Sequence, residues 1–248
     1  MARKLENRTA LVTGANRGIG LAIAKAYASE GAKVLLAGRN EAALKRLQAE
    51  IAAAGGQAKV FAADLEDAAS VRALAASIKR EFPSLDVFVA NAASLGARVP
   101  LVRYPLETWR QSLRINVEAN LILLGELDAL FKASDSARII LLSANVATQG
   151  KATTGSYAVS KAALEAMARI YIVESKGTPI RVNIVSPGPT RTEMRARAAP
   201  EENPMSIKPP EALAPLFVEL ATRECQRQGE WLNADDWLAG RTAAARPV

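Results

Sequence analysis

Short runs of aliphatic and β-branched residues alternate along the chain with longer, alanine-rich segments of helical period. The apolar runs predict six strands, over residues 9–13, 33–37, 58–62, 85–90, 138–142 and 180–185. The segments between them predict helices over about 19–30, 41–54, 68–81, 106–131 and 157–175. This alternation is typical of a doubly wound parallel sheet with helices on both faces, so the pattern predicts an α/β fold.

No shift in composition and no linker divides the chain, so we expect a single domain over residues 1–240. The longest irregular stretch is 190–210. In a compact α/β domain such a segment usually covers or binds a ligand, and we expect a substrate loop over 190–212. The alternative is a surface excursion without function. The tail, 241–248, is expected to be flexible.

The composition limits the chemistry that this chain can perform. Half of the 248 residues are hydrophobic, enough for a large core without disulfides. Without histidine, acid–base chemistry must use Tyr, Lys, Asp or Glu, and we expect no metal. Cys225 is the only cysteine, which fits a reducing compartment. No apolar stretch is long enough for a membrane span or a signal-peptide core, so we expect a cytoplasmic protein without membrane contact.

The net charge of +7 suits an anionic partner. However, the basic residues form no run, and aromatic residues make up only 5% of the chain, so we expect no nucleic-acid partner. A phosphorylated cofactor accounts for part of the surplus charge. The alternative, a basic nucleic-acid-binding protein, predicts binding that weakens steeply with salt.

A glycine-rich turn, TGANRGIG (13–20), follows the first predicted strand and opens the first helix. Gly14, Gly18 and Gly20 leave room for a diphosphate to approach backbone N–H groups, and the helix N-terminus adds partial positive charge. The spacing is Gly-x-x-x-Gly-x-Gly, so on its own the turn fits an ordinary loop as well as a phosphate site.

The residue after the second strand indicates which dinucleotide would bind. In doubly wound folds a carboxylate about 20 residues beyond the glycines favours NAD, whereas an arginine nearby favours NADP. Arg39 stands here, no carboxylate ends the strand, and Arg17 adds a second positive charge. A guanidinium suits a 2′-phosphate, so we predict NADP(H); the alternative for Arg39 is a solvated loop residue.

Two further strand ends lie at the edge where ligands of open α/β sheets bind. Asp64 and Leu65 follow the third strand, and Asn91 and Ala92 follow the fourth. We expect Asp64 to accept a hydrogen bond from an adenine amino group and Asn91 to hold the neighbouring backbone together. Each residue also fits an ordinary turn.

The candidate chemical groups are Ser143, at the end of the fifth strand, and the pair Tyr157 and Lys161. Because the pair is four residues apart, a helix places both on one face. A phenol ionises near ~10, and an ammonium at ~4 Å supplies about 4 kcal/mol, enough to lower the phenol pKa by about three units. Ser143 is expected to hydrogen-bond the substrate oxygen as charge develops on it. The alternative is a solvated helix face that carries Tyr-x-x-x-Lys by chance.

Together these motifs resemble the short-chain dehydrogenase/reductase family. That family's order and spacing are kept by TGANRGIG, Asp64, Asn91-Ala92, Asn116, Ser143, YAVSK (157–161) and PGPTRT (187–192). The resemblance covers about residues 4–194, with a weaker echo of the family's last strand in GEWLNADDW (229–237). It implies a single Rossmann-type domain and, in this family, dimers or tetramers built through the long helices, so we expect a homodimer or homotetramer.

The resemblance also implies residue roles. Tyr157 would be the acid/base, Lys161 would lower its pKa and hold the nicotinamide ribose, and Ser143 would position the substrate. Asn116, in RINVEAN, would kink the long helix and seat a proton-relay water. The catalytic set is therefore Asn116, Ser143, Tyr157 and Lys161. The cofactor-binding set is Gly14, Asn16, Arg17, Gly18, Ile19, Gly20, Arg39, Asp64, Leu65, Asn91, Ala92, Tyr157, Lys161, Pro187, Gly188, Thr190 and Thr192, of which Thr192 and the backbone of 187–190 would contact the carboxamide and diphosphate.

Two departures from the family bear on the cofactor and on the substrate. ANAAS (90–94) replaces Asn-Asn-Ala-Gly, which restricts backbone approach to the adenosine, and the chain after Met194 resembles the family poorly. Members of this length commonly reduce 3-oxoacyl chains on acyl carrier protein. The positions that would dock that acidic carrier are Asp135 and Val173 here, so we favour a small-molecule carbonyl or alcohol over a carrier-bound substrate.

A protein of another class stays open, namely an NADP(H)-sensing regulator that kept the fold and lost the chemistry. A sensor needs only the nucleotide half, so the complete Asn-Ser-Tyr-Lys set argues against it. We therefore predict an NADP(H)-dependent oxidoreductase that acts on the CH–OH group of donors, transferring a hydride between the nicotinamide and a carbonyl or alcohol carbon.

Overall fold

A computed structural model describes residues 3–240 and 246–247. The strands that form its parallel sheet are β1 (Thr9–Thr13), β2 (Lys33–Gly38), β3 (Gln57–Ala62), β4 (Val87–Ala90), β5 (Arg138–Leu142), β6 (Arg181–Ser186) and β7 (Glu230–Asn233). Their order in the sheet is β3-β2-β1-β4-β5-β6-β7, and every neighbouring pair is parallel. The chain reverses direction across the sheet between β3 and β4, which confirms the predicted doubly wound, Rossmann-type fold.

The helices of the described residues are α1 (Gly18–Ser29), α2 (Glu41–Ala53), α3 (Ala68–Glu81), α4 (Leu106–Leu113), α5 (Ala119–Ala133), α6 (Gly155–Glu174), α7 (Glu193–Ala198), α8 (Ala214–Ala221) and α9 (Ala234–Leu238). Helices α1, α2 and α8 cover one face of the sheet, and α3, α5 and α6 cover the other. Each face has its own apolar core, so the central strands are buried on both sides and read as continuous apolar runs.

The helix predicted over 106–131 is present as unbroken helical backbone from Leu106 to Ala133, but its geometry changes in the middle. A π-helical turn (Arg114–Glu118) separates α4 from α5. Asn116 lies at its centre, fully buried, and its carbonyl oxygen accepts a hydrogen bond from the Asn120 side chain at 2.9 Å. The interruption therefore falls at the residue for which the family resemblance implies a kink.

The C-terminal part contains more structure than the sequence predicts. The irregular stretch 190–210 contains α7, and α8 and α9 follow it. The weak echo of a last strand corresponds to β7, which pairs with β6. Of the tail 241–248, residues 241–245 and 248 lie outside the described residues, while Arg246–Pro247 pairs antiparallel with β7.

Candidate active site

A glycine turn joins β1 to α1. Gly14 and Gly18 have φ of 66° and 54°, in the left-handed region that side chains rarely adopt. A Cβ atom on Gly20 would lie 2.4 Å from the Gly14 carbonyl oxygen and 2.5 Å from the Asn91 amide nitrogen. No acidic residue lies in the first turn of α1 to compete with an anion for the helix N–H groups. The turn therefore has the space and the polarity that a phosphate needs.

Asn91 supports this turn from the end of β4. Its side-chain nitrogen donates to the carbonyl oxygens of Thr13, at 2.8 Å, and Gly14, at 3.3 Å. In return, the Thr13 hydroxyl oxygen accepts from the backbone N–H groups of Asn91 and Ala92. These bonds join the ends of β1 and β4, in agreement with the backbone-holding role predicted for Asn91.

The end of β2 carries an exposed positive charge at the edge of the site. The side chain of Arg39 is 74% exposed, and its Nη1 lies 4.0 Å from Asp64 Oδ2, a loose pair. Asp64 Oδ1 accepts from the backbone N–H of Glu66, so this oxygen already serves a local turn. The residue after Arg39 is Asn40, whose side chain caps α2. The β2 end therefore presents a cation and no carboxylate of its own.

The loop that follows β6 closes over the glycine turn. Arg17 forms an ion pair with Glu193 at the start of α7, and both side chains stay largely exposed. A Cβ atom on Gly18 would lie 3.2 Å from Thr192 Cγ2. At Gly188, whose φ is 66°, a larger residue would adopt a strained backbone conformation, and its Cβ atom would meet the side-chain carboxylate of Asp235. Arg17, which we predict from the sequence to bind the cofactor phosphate, therefore also forms an ion pair with a residue of the loop.

Tyr157 and Lys161 lie on one face of α6, as predicted. Lys161 is 2% exposed, its Nζ donates to the Leu142 carbonyl oxygen at 2.6 Å, and it lies 5.8 Å from the centroid of the Tyr157 ring. Burial raises the pKa of Tyr157 to about 12. Burial lowers the pKa of Lys161 to about 8, against the opposing charge of Glu165. The expected lowering of the phenol pKa by Lys161 is not present in this structure, because desolvation dominates and the ammonium bonds to a carbonyl.

Ser143 follows β5 and is 2% exposed. Its hydroxyl donates to the carboxylate of Glu165, which also lies on α6. From the sequence we expect that hydrogen to go to a substrate oxygen, and in the structure it goes to Glu165 instead. While this bond persists, Ser143 can contribute to the site only through its oxygen lone pairs.

Asn116 links the π turn to its surroundings and lies outside the cleft lining. Its Oδ1 accepts from the backbone N–H of Ser94 at 2.7 Å, and its Nδ2 donates to the Ser94 carbonyl at 3.0 Å and to the Ser160 hydroxyl at 2.8 Å. The carboxamide therefore attaches the loop after β4 to both the π turn and α6. This is a positioning geometry, one residue away from Lys161.

One cleft of about 930 Å³ joins the glycine turn to the Tyr157–Lys161 pair. Its lining contains the following predicted site residues: Gly14, Asn16, Arg17, Gly18, Ile19, Arg39, Asp64, Leu65, Asn91, Ala92, Ser143, Tyr157, Lys161, Pro187 and Thr192. Four predicted residues lie behind the lining: Gly20, Asn116, Gly188 and Thr190. The structure therefore brings most of the two predicted sets into one space.

Sequence reasoning missed two acidic residues of this region. Glu165 continues the spacing of four from Tyr157 and Lys161, a signal that was available in the sequence. Glu193 pairs with Arg17 across a separation that local sequence patterns do not reveal. Among the described residues, no group of His, Cys, Asp and Glu could hold a metal ion, and no helix is long and apolar enough to cross a membrane.

A glycine cradle and a Tyr–Lys pair in one cleft, at the carboxyl ends of parallel strands, are features of dinucleotide-dependent oxidoreductases. The chain belongs to the short chain dehydrogenase family, whose model matches residues 8–203. It is 37% identical over 227 residues to the uncharacterized oxidoreductase YciK of Escherichia coli K12, covering 90% of each chain.

Solved structures agree with this assignment. A short chain dehydrogenase from Pseudomonas syringae is 40% identical and superposes with a TM-score of 0.91, over 94% of this chain and 97% of the other. One from Shigella flexneri, solved in complex with NADP, is 36% identical with a TM-score of 0.90, over 95% and 100%.

Proposed function

We propose that this protein is an NADP(H)-dependent oxidoreductase that transfers a hydride between the nicotinamide and a carbonyl or alcohol carbon of a small molecule. The observation that carries this proposal is the single cleft with the glycine cradle at one end and the Tyr157–Lys161 pair at the other. The NADP complex of the Shigella flexneri relative supports the choice of cofactor.

The residues present fit this cofactor. The cradle that a Cβ on Gly20 would fill, together with the start of α1, would hold the diphosphate. Arg39 and Arg17 would hold the 2′-phosphate. Asp64 would bind the adenine, and Lys161 would bind the nicotinamide ribose. The loop residues Pro187, Gly188, Thr190 and Thr192 would contact the carboxamide and the diphosphate. When bound, NADP(H) supplies or accepts the hydride.

Tyr157 would handle the proton. With a pKa near 12 its phenol is protonated at neutral pH, so in carbonyl reduction it donates its proton to the oxygen as the new C–H bond forms. Lys161 places a positive charge beside the phenolate that results and stabilises it. Ser143 would accept a hydrogen bond from the phenol or from an alcohol substrate, and Asn116 would hold the loop after β4 in register with α6.

The substrate would enter beside the segment 190–212. Met194, Arg197 and Pro210 of this segment line the cleft, which supports its role as a substrate loop within one catalytic domain. A carrier-bound substrate fits this surface less well. Asp135, one of the two positions that would dock an acidic carrier, is paired with Arg223, and Val173 is exposed and apolar.

The proposed enzyme would act as a homodimer or homotetramer. Leu121 on α5 and Ile170 and Val173 on α6 are each more than half exposed, and exposed apolar side chains on neighbouring helices favour association. Light scattering coupled to size exclusion at micromolar concentration would measure the assembly, and a monomer there would contradict this part of the proposal.

The decisive experiment compares Tyr157→Phe with Tyr171→Phe on a panel of small aldehydes and ketones. Tyr171 lies on the same helix, outside the cleft, and its hydroxyl donates to Asp128. We expect Tyr157→Phe to lower turnover by about 10³-fold while NADPH still binds, because the proton donor is lost. Tyr171→Phe should retain turnover. Full activity in Tyr157→Phe, or no activity of the wild type on any carbonyl or alcohol, would contradict the proposal.

A further inference from the structure

A buried carboxylate lies behind the Tyr157–Lys161 pair. Glu165 lies one helical turn beyond Lys161 in α6 and is 4% exposed. Its Oε1 accepts from the hydroxyl of Ser143 and, at 2.9 Å, from the indole nitrogen of Trp231 in β7. One carboxylate thus connects the end of β5, the catalytic helix and the last parallel strand.

A carboxylate taken out of water is costly unless hydrogen bonds and an opposite charge compensate it. Ser143 and Trp231 supply two donors. The opposite charge on the same helix face is the ammonium of Lys161, one turn away, which is itself buried and donates to the neutral carbonyl of Leu142. The two charges therefore share one water-poor region and depend on each other.

We propose that Glu165 is a positioning residue that keeps the ammonium of Lys161 charged and holds the hydroxyl of Ser143, without touching substrate or cofactor. This inference rests on the proposed function, in which a charged Lys161 stabilises the phenolate of Tyr157. Glu165 would then affect the reaction through Lys161. Its hydrogen bond with Ser143 would belong to the same arrangement.

Among the groups around Lys161, Glu165 is the one whose charge can keep Lys161 protonated. On α6, the titratable groups on its face are Tyr157 and Glu165. From β5 it meets the carbonyl of Leu142, and the π turn contributes the neutral amide of Asn116, which donates to the preceding residue, Ser160. Burial lowers the pKa of Lys161 to about 8, and Glu165 is the charge that raises it. Without that charge, Lys161 would lose its proton at a pH closer to neutrality.

The test measures Lys161 directly, by NMR of the whole protein labelled with ¹³C at the lysine ε-carbons. The Lys161 signal is the one that disappears in Lys161→Arg. In the wild type it should titrate near pH 8, well below the exposed lysines. In Glu165→Gln, which keeps an acceptor and removes the charge, we expect that pKa to fall by about one unit.

Two further variants separate charge from packing. Trp231→Phe removes one hydrogen bond and keeps the carboxylate, so the pKa of Lys161 should stay near the wild-type value. Glu165→Asp should restore most of the shift. A wild-type pKa of Lys161 in Glu165→Gln would overturn the inference, as would an equal fall in Trp231→Phe, which would indicate a structural role alone.

Kinetics then connect the charge to the reaction. The alkaline limb of kcat/KM should move to lower pH in Glu165→Gln by the same shift as the Lys161 pKa, and an unmoved limb would overturn the catalytic part of the inference. If the wild type turns over no carbonyl or alcohol, the proposed function fails. The NMR shift would then still decide whether Glu165 controls Lys161.

Discussion

The two ends of the cleft are built in opposite ways. The cofactor end consists of backbone and of missing side chains: a Cβ on Gly20 would collide with the Gly14 carbonyl, and the cations Arg17 and Arg39 stand in solvent. The chemical end consists of buried side chains, with Lys161 and Glu165 both nearly inaccessible. Binding at the cofactor end depends on the space left by the missing side chains. Chemistry at the other end depends on the balance between buried charges.

This difference decides how each end responds to change. Where the backbone forms the site, an added methyl group is the most damaging substitution and a lost surface charge is mild. Where buried charges form the site, removing one charge alters the protonation of the others, and volume matters less. Substitutions at the two ends should therefore differ in what they change as well as in size.

The largest effect is expected at Gly20. In Gly20→Ala the new Cβ lies 2.4 Å from backbone, so the turn must shift. We expect NADPH binding to weaken by more than about 100-fold and the protein to lose about 2–3 kcal/mol of stability, because a packed backbone yields poorly. Fluorescence titration of NADPH and denaturant unfolding measure the two effects.

Gly125 is the matched control for that substitution. It lies within α5, and nothing within 4 Å would meet its Cβ. Gly125→Ala should leave NADPH binding unchanged and stabilise the protein by about 0.5–1 kcal/mol through helix propensity. Equal NADPH affinity in Gly20→Ala and the wild type would show that the glycine turn is not the phosphate site.

The next effect concerns Lys161 at the charged end, where the stability of the protein should depend on pH. The pKa of Lys161 is lowered from 10.5 to about 8, so the unfolded chain binds the extra proton between these pH values and stability rises with pH there. Lys161→Met removes this cost. The variant should be inactive, and at pH 7 the relief of this cost should be offset by the lost Leu142 hydrogen bond and by the buried Glu165 carboxylate, which loses its opposite charge.

Urea unfolding of both proteins across pH 7 to 10 measures this prediction. The stability of Lys161→Met relative to the wild type should fall by about 2.5 kcal/mol as pH rises from 7 to 10, since folded wild-type Lys161 becomes neutral over this range while the lysine of the unfolded chain stays largely charged. A stability difference that stays constant with pH would mean that Lys161 is not a strained buried cation.

The fold was predictable because its signals are local or repetitive. Strands β1 and β5 and helix α3 have the predicted bounds, since the strands are buried on both faces and α3 has a capping Asp67. The π turn was not predictable from periodicity, because Asn116 is held by the distant Ser94. Helix α8, with Pro215 in its first turn, depends on packing against α1.

The site divides in the same way. Its glycine motif and Tyr-x-x-x-Lys spacing were readable, and the structure brings both into one cleft. The direction of a hydrogen bond and the sign of a pKa shift were not readable, because they depend on burial by segments far apart in the chain. Ser143 illustrates this, since its hydrogen points to Glu165 on α6, a carboxylate that also accepts from Trp231 on β7.

Reversing the charge of Arg39 sharpens the comparison at the cofactor end. Arg39→Asp should weaken NADPH binding by about 10- to 100-fold, because a carboxylate then faces the 2′-phosphate, and should leave NADH binding within about threefold. Arg46→Asp makes the same charge change on α2, outside the cleft lining, and should alter neither. Unchanged NADPH affinity in Arg39→Asp would contradict the choice of NADP(H).

The smallest effect is expected at Glu193, where the loop reaches across to Arg17. Glu193→Ala frees Arg17 and removes a negative charge from the cleft, so NADPH should bind about two- to fivefold more tightly at low salt. The gain should fade as salt is raised, because both side chains are exposed and screened. Glu202→Ala breaks another ion pair of this segment, with Arg195, away from the cleft lining, and should not tighten binding. Weaker NADPH binding in Glu193→Ala would instead mean that the ion pair helps the loop to close on the cofactor, and that the cofactor end needs a side-chain contact after all.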